Sequence, residues 1–276
     1  MVRTLSGSLL ALACWVQPPT AQFGTLPDGF VGRVDLDGVR AEVAMTLLVD
    51  SATAESFVPA GFQVVTLEQI AANDPATANL LAARPNLRTA VPSILGFTRL
   101  DSLRVDLEPP VPAAFAFWWL AVLPNPAIDE RALGNPTVDV AFWTPETDVV
   151  RSLEPYWPHA RVAGVSIDES EDGEWRVNLE LPEGTVTGRC RPVGPVSHEE
   201  DAAAGYSTLW SAGPRPTTFT VITSYGQTTR SCEATWDASG SHALAAAVRA
   251  TLEEPPPWMG TSLVRGWQAR AGVYRR

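Results

Sequence analysis

The chain contains no lysine. All 20 of its basic side chains are arginine, although lysine is ordinarily among the commonest residues. A GC-rich coding bias that writes Arg for Lys is the simplest cause. The chemical consequence holds whatever the cause: no lysine Schiff base, no pyridoxal-phosphate anchor and no P-loop lysine can form. Histidine is almost as scarce. His159, His198 and His242 lie far apart with no metal-ligand spacing, and each reads as a surface or loop residue, so no metal site is expected. There is no Gly-x-Ser-x-Gly elbow, which disfavours a serine hydrolase, and "SHEED" (Ser197–Asp201) is a weak substitute for one. Nor is there a cofactor fingerprint in "SLVRGWQARAG", and no cofactor is expected. The longest apolar run, Ala113–Leu123, has 11 residues, short of the roughly 18 a membrane span needs. A net charge of −11 argues against nucleic acid and against an anionic membrane surface as partners. Of the three cysteines, Cys190 and Cys232 fall on expected strands. Two buried free thiols are preferred there over a bridge.

What is present is enough apolar material for a substantial core: 45% of 276 residues are hydrophobic, with 24 prolines and 20 glycines to make turns. The first 22 residues carry Arg3, a short apolar run and "ALAC" at Ala11–Cys14, a layout between a leader and an N-terminal arm. The charged region is thin, so a cytoplasmic location is favoured slightly over export or lipid anchoring. Residues 23–276 show no repeat and no linker and read as one domain, mainly β with a few helices. Asp37-Gly38 predicts a hairpin between Phe30–Leu36 and Val39–Val49. In the second of these strands Arg40, Glu42 and Thr46 lie opposite the apolar face. Asp50 or Ser51, Asp74 and Ser241 are expected helix caps. Further hairpins are expected at Val162–Asp168 with Trp175–Leu181, and at Thr217–Thr223 with Thr228–Trp236. A final strand runs from Trp267 to Tyr274, and Pro192–Gly205 reads as a loop. "DESEDG" (Asp168–Gly173) approaches a calcium loop, but position twelve is Leu179, so it reads as an acidic hairpin tip.

Charge on otherwise apolar strands is the sharper signal. In "FTRLDSLRVDL", Arg99 and Asp101 share the alternation of Phe97, Leu103 and Val105. They are either a mutually satisfied pair, cavity groups that meet a ligand, or outward-facing residues in a shifted register. In "ERALGNPTVDVAFW", Val138, Val140 and Phe142 point one way while Thr137, Asp139, Ala141 and Trp143 point the other. Asp101 and Asp139 are thus candidate general bases.

Taken in order, several segments resemble the acetoacetate decarboxylase-like family. They are "VDSATAESFVPAGFQVV" (Val49–Val65), "LGFTRLD" (Leu95–Asp101), "FAFWWLAVLPNPAIDERALGNPTVDVA" (Phe115–Ala141) and the closing "RAGVYRR". The resemblance runs from Arg40 to the C-terminus and is dense over residues 40–143. It implies a closed antiparallel β-barrel or cone with peripheral helices around an internal cavity. The family's two lysines, one of them the Schiff-base nucleophile, fall at Thr137 and Val138. Its glutamate after aromatic-Thr falls at Arg99, its carboxylate-binding arginine at Arg40, and a remaining glutamate at a position for which Glu68 is one candidate. With no amine nucleophile there is no iminium sink. What the resemblance then implies is a barrel that binds a small, partly apolar keto acid or similar carboxylate. Arg40, Arg99, Arg131, Thr137 and Trp119, or its neighbour Trp118, are the ligand-side residues. The alternatives are a lyase, isomerase or cyclase working through a cavity Asp and Arg, and an exported protein with a filled barrel that acts through its surface. Homo-oligomerisation stays open.

Overall fold

The computed structural model describes residues 28–106, 108–123, 135–199, 206–211, 218–225, 227–253, 260–266 and 268–275. The expected N-terminal arm and Arg131 lie outside these. The described chain is built on 13 strands that all join one sheet. In chain order they are β1 (Gly32–Val49), β2 (Val91–Val105), β3 (Val111–Ala121), β4 (Asn135–Thr144), β5 (Ala160–Val162), β6 (Gly164–Glu169) and β7 (Trp175–Leu181). Then follow β8 (Gly184–Glu199), β9 (Tyr206–Ser211), β10 (Thr218–Tyr225), β11 (Gln227–Gly240), β12 (Thr261–Arg265) and β13 (Gln268–Arg275).

The long first strand organises the molecule. Its N-terminal half, Gly32–Leu36, pairs with β13, and Glu42–Met45 pairs with β12, while β2 runs beside nearly all of it. The path β1-β2-β3-β4-β9-β10-β13 therefore returns to β1 and closes a barrel. β12, β11, β8, β7 and β6 continue from β1 as a second leaf. Pairing is antiparallel except at β4, which runs parallel to β5 and β9. Closure removes free edges from the barrel, a hazard that open sheets must otherwise manage.

Asp37-Gly38 does not make the expected hairpin. Gly38 adopts φ +66° inside a continuous strand, and the register against β2 slips between Val39 and Ala41, leaving Arg40 as the extra residue. A glycine at positive φ serves a bulge as well as a turn, and pairing with β2 on both sides of the bulge selects the former. The third expected hairpin also fails. β10 and β11 are consecutive but pair elsewhere, β10 with β9 and β13, β11 with β8 and β12. Half of the expected loop Pro192–Gly205 is the end of β8. The β6–β7 hairpin forms as expected, with its tip closed by Ser170 N donating to Glu174 O at 2.8 Å.

Two apolar cores result. One fills the barrel interior with Val34, Leu36, Leu103, Phe115, Phe117, Phe142 and Ala271. The other lies between β1–β3 and the second leaf and includes Met45, Leu95, Trp118, Ile167, Val177, Leu179 and Val186. Helices cover the remaining faces: α1 (Ser51–Phe57), α2 (Leu67–Ala71), α3 (Pro75–Ala83), α4 (Thr147–Leu153) and α5 (Ala243–Glu253). Asp50 and Asp74 cap α1 and α3 as their sequences predict. At α5 it is His242, not Ser241, that accepts from a helix N–H, Leu244 N to Nδ1 at 3.2 Å. Burial pushes the His242 pKa down, with Glu183 opposing, which suits an accepting imidazole. Thr251 ties α5 to the sheet by accepting from Leu48 N at 2.9 Å. Cys190 and Cys232 are joined as a disulfide between β8 and β11, where free thiols were expected.

Candidate functional site

The barrel core is not filled solidly. A cavity of about 60 Å³ remains inside it, walled by Phe115, Phe117, Phe142, Trp157, Leu36 and Ala271 among others. Two carboxyl side chains, Glu42 and Asp139, also line it. Its apolar wall depends on close approaches that the sequence provides. Gly96 on β2 leaves room for the Phe117 ring, whose Cζ would lie 2.1 Å from an added Cβ. Phe142 stacks between Phe115 at 4.8 Å and Trp157 at 5.8 Å. Tyr156, beside Trp157, packs over Gly32 and donates to Asp106, whose carboxyl also accepts from Arg33 N at 2.8 Å. The bond to Asp106, helped by burial, pushes the Tyr156 pKa up to about 12 and keeps the phenol a donor.

Asp139 reaches this cavity because β4 does not alternate simply. The register against β3 slips between Trp118 and Trp119, so that Ala141 pairs with Trp118 and Asp139 with Trp119, leaving Val140 extra. The bulge brings Asp139 and Phe142 to the same lining, although strict alternation puts them on opposite faces. Asp139 is only 1% exposed. Its Oδ2 lies 2.7 Å from His159 Nε2. His159 is placed there by β5, which starts one residue later and runs parallel to β4. With Asp139 ionised, Nε2 must carry the hydrogen of this contact. Asp139 Oδ1, His159 Nδ1 and Trp157 Nε1 are buried without a hydrogen-bond partner among the described residues. Buried polar atoms are rarely left so, and two of these three belong to residues that line the cavity.

Glu42 enters from β1, opposite Thr98 in the register of β2, and Thr98 Oγ1 donates to Glu42 Oε2 at 3.2 Å. The residue as a whole is partly accessible, but protein surrounds the carboxyl. Burial pushes its pKa up to about 7, with the Thr98 hydrogen bond opposing. Near neutrality Glu42 thus exists as both acid and carboxylate, the condition a proton-transfer group needs.

The sequence candidates divide between this cavity and a second, open groove. Asp139 and Trp119 line the cavity. Arg40 and Arg99 line the groove, about 380 Å³, with Asp168, Glu169, Trp175 and Arg265. Arg99 and Asp101 do not pair with each other. Asp101 faces out and accepts from Arg40 Nε at 2.5 Å, whereas Arg99 donates to Ile167 O at 3.1 Å and lies 3.8 Å from Asp168. Arg265 bonds Glu169 at 2.7 Å and sits 5.0 Å over the Trp175 ring. The groove's cations are therefore matched by acids at its rim. Thr137 pairs with Ala121 at the start of β4, half-buried and outside both sets of lining residues. Trp118 lies in the other core, its Nε1 donating to Ser93 at 3.0 Å. Glu68 is on the surface, bonded to Arg88 at 2.9 Å. Glu42 and His159 were missed as site residues. Glu42 carried a signal, as the one charged residue from Ala41 to Val49, while a lone histidine after a proline carries none.

No protein-family model and no curated protein sequence matches the chain. Solved structures do. An acetoacetate decarboxylase-like enzyme from Sphingomonas wittichii RW1 superposes with a TM-score of 0.53 at 10% identity, covering 94% of this chain and 97% of that one. Acetoacetate decarboxylase from Legionella pneumophila superposes at 0.52 and 11% identity, covering 100% and 96%. The enduracididine biosynthesis enzyme MppR, in complex with pyruvate, superposes at 0.51 and 10% identity, covering 92% of each. The chain has the acetoacetate decarboxylase-like fold, as its segments imply.

Proposed function

We propose that this barrel binds a small, neutral, partly apolar carbonyl compound in its interior cavity, without forming a lysine adduct. The make-up of the cavity supports this reading: an aromatic and aliphatic wall with Glu42 and Asp139 as its acids. Glu42 in its acid form can donate to a carbonyl oxygen, as can the unpartnered Trp157 Nε1. A ligand carboxylate would meet two acids there rather than a cation, since Arg40 and Arg99 lie at the groove. Size narrows the choice further. One buried water occupies roughly 10–15 Å³ of such volume, so the cavity holds a ligand of about four or five heavy atoms and excludes a fatty acid.

The test is saturation-transfer NMR with acetone, 2-butanone, acetoacetate and octanoate at tens of millimolar or below, run beside thermal-shift measurements. The two neutral ketones should receive transfer and raise the melting temperature, acetoacetate less so, and octanoate not at all. If no compound of this size binds, or if octanoate binds best, the reading fails.

A further inference from the structure

The cavity's polar atoms are arranged for more than retention of a ligand. We propose that Asp139 and Glu42 are a base and acid pair that moves a proton between the α-carbon and the carbonyl oxygen of a small ketone, with His159 positioning Asp139. This rests on the reading of the cavity as a small-carbonyl site and assigns it an activity, enolisation.

The roles follow from which oxygens are already engaged. Asp139 Oδ2 is held by His159 Nε2 at 2.7 Å, which leaves Oδ1, buried and unpartnered, as the basic atom. Glu42 Oε2 accepts from Thr98, which leaves Oε1 to carry the acidic hydrogen. The two side chains arrive from β1 and β4 and line the same narrow space among Phe115, Phe117 and Phe142. In so apolar a wall, charge developing on a carbonyl oxygen depends on a proton donor far more than it does in water. The Glu42 pKa of about 7 makes that donor available at neutral pH.

In the forward step Asp139 Oδ1 takes a proton from the carbon next to the carbonyl. The C–H electron pair becomes the carbon–carbon π bond, the carbonyl π pair moves to oxygen, and that oxygen takes the hydrogen of Glu42. The result is the enol, a protonated Asp139 and an ionised Glu42. Return of both protons restores ketone and enzyme, so the cycle needs no oxidant, metal or second substrate. In heavy water, deuterons that replace the proton on Asp139 are delivered to carbon, and the ketone's α-hydrogens wash out.

The experiment follows that wash-out by proton NMR, with 2-butanone in deuterated buffer and the full-length chain. Saturation transfer on the same samples reports binding. Wild type should accelerate exchange well above buffer. Asp139→Asn and Glu42→Gln should each slow the protein-dependent rate by about 100-fold, the lower range for positioned acid–base groups, with binding retained in Glu42→Gln. Because Asp139 is buried, near-UV circular dichroism checks that its variant folds, and the near-isosteric Glu42→Gln carries the test if it does not. His159→Leu should lower the exchange rate without weakening binding, and His159→Gln, which can still donate to Asp139, should recover part of it. That recovery separates positioning from mere support of the fold. Binding without accelerated exchange, or exchange unaffected by Glu42→Gln, overturns the inference and leaves the ligand reading standing. No binding of any ketone overturns that reading as well.

Discussion

Glu42 couples the interior of the barrel to pH in a way that stability measurements can read. Its folded pKa of about 7 lies above the ordinary value of 4.5 because burial penalises the charged form. Between those values the folded state holds a proton that the unfolded chain releases. Its contribution is thus fully present below about pH 4.5 and is lost as pH rises through 7, by about 3 kcal/mol in total. Thr98 from β2 donates to Glu42, and Asp139 from β4, with His159 bonded to it, lines the same cavity. His242 acts in the opposite direction, since its lowered pKa costs stability as pH falls through 6.5, but it is common to wild type and variant. Urea unfolding of wild type and Glu42→Gln from pH 5 to 8 should give curves that diverge, the wild type losing more stability toward pH 8. Parallel curves would mean that Glu42 is ionised throughout. At this scale the sequence was partly legible. Asp139 stood out as a polar residue on a turn-fed strand, and Trp119 beside it came with the resemblance. Glu42 stood out as a lone acid but its place did not, because alternation says which residues share a face but not whether that face looks into a closed barrel or out to water. His159 is placed by a parallel bridge to β4, a non-local pairing with no local signature.

Elements show the same division between local and long-range control. Caps at Asp50 and Asp74 were readable because a carboxylate accepting from its own helix is decided within a few residues. The bulges at Arg40 and Val140 were not, because each is defined by a partner strand. They matter most for the site: one turns Arg40 outward to Asp101, the other carries Asp139 into the cavity. The Cys190–Cys232 bridge is likewise a matter of partnership. β8 and β11 run antiparallel over most of their length, which brings together two cysteines 42 residues apart. Closing a loop of that length restricts the unfolded chain by an amount worth about 4 kcal/mol, before any cost in the folded state. The oxidised protein should have an intact mass lower by two hydrogens than after reduction. Cys190→Ser with Cys232→Ser should lower the stability by a few kcal/mol and leave ketone binding unchanged, because the bridge lies in the second leaf. Equal stability with and without reductant would show that the thiols are free.

For the molecule as a whole, the telling feature is that one strand serves both of its parts. Gly32–Leu36 of β1 closes the barrel against β13, while Glu42–Met45 of the same strand anchors the second leaf through β12. The two cores also share β2 and β3, with Phe97 and Trp118 in one, Leu103 and Phe117 in the other. The mainly β class, the barrel and its family likeness were legible in the sequence, because strand number and segment order are properties of the chain. The parallel contact of β4 with β9 that completes the circuit was not, since nothing local distinguishes it from a hairpin partner. Such sharing has a thermodynamic consequence. Unfolding the barrel strips the second leaf of its supporting strand, and unfolding the leaf exposes the outer faces of β1–β3. Chains of this length often unfold in stages, yet here both halves should melt together. Calorimetry should give a single transition whose van't Hoff and calorimetric enthalpies agree, and near-UV dichroism should coincide with far-UV dichroism along a urea titration. A bound ketone in the barrel should move the whole transition, including the part reported by Trp175 and Trp236 in the leaf. Two separable transitions, with only one of them moved by ligand, would show instead that the barrel stands without its second leaf.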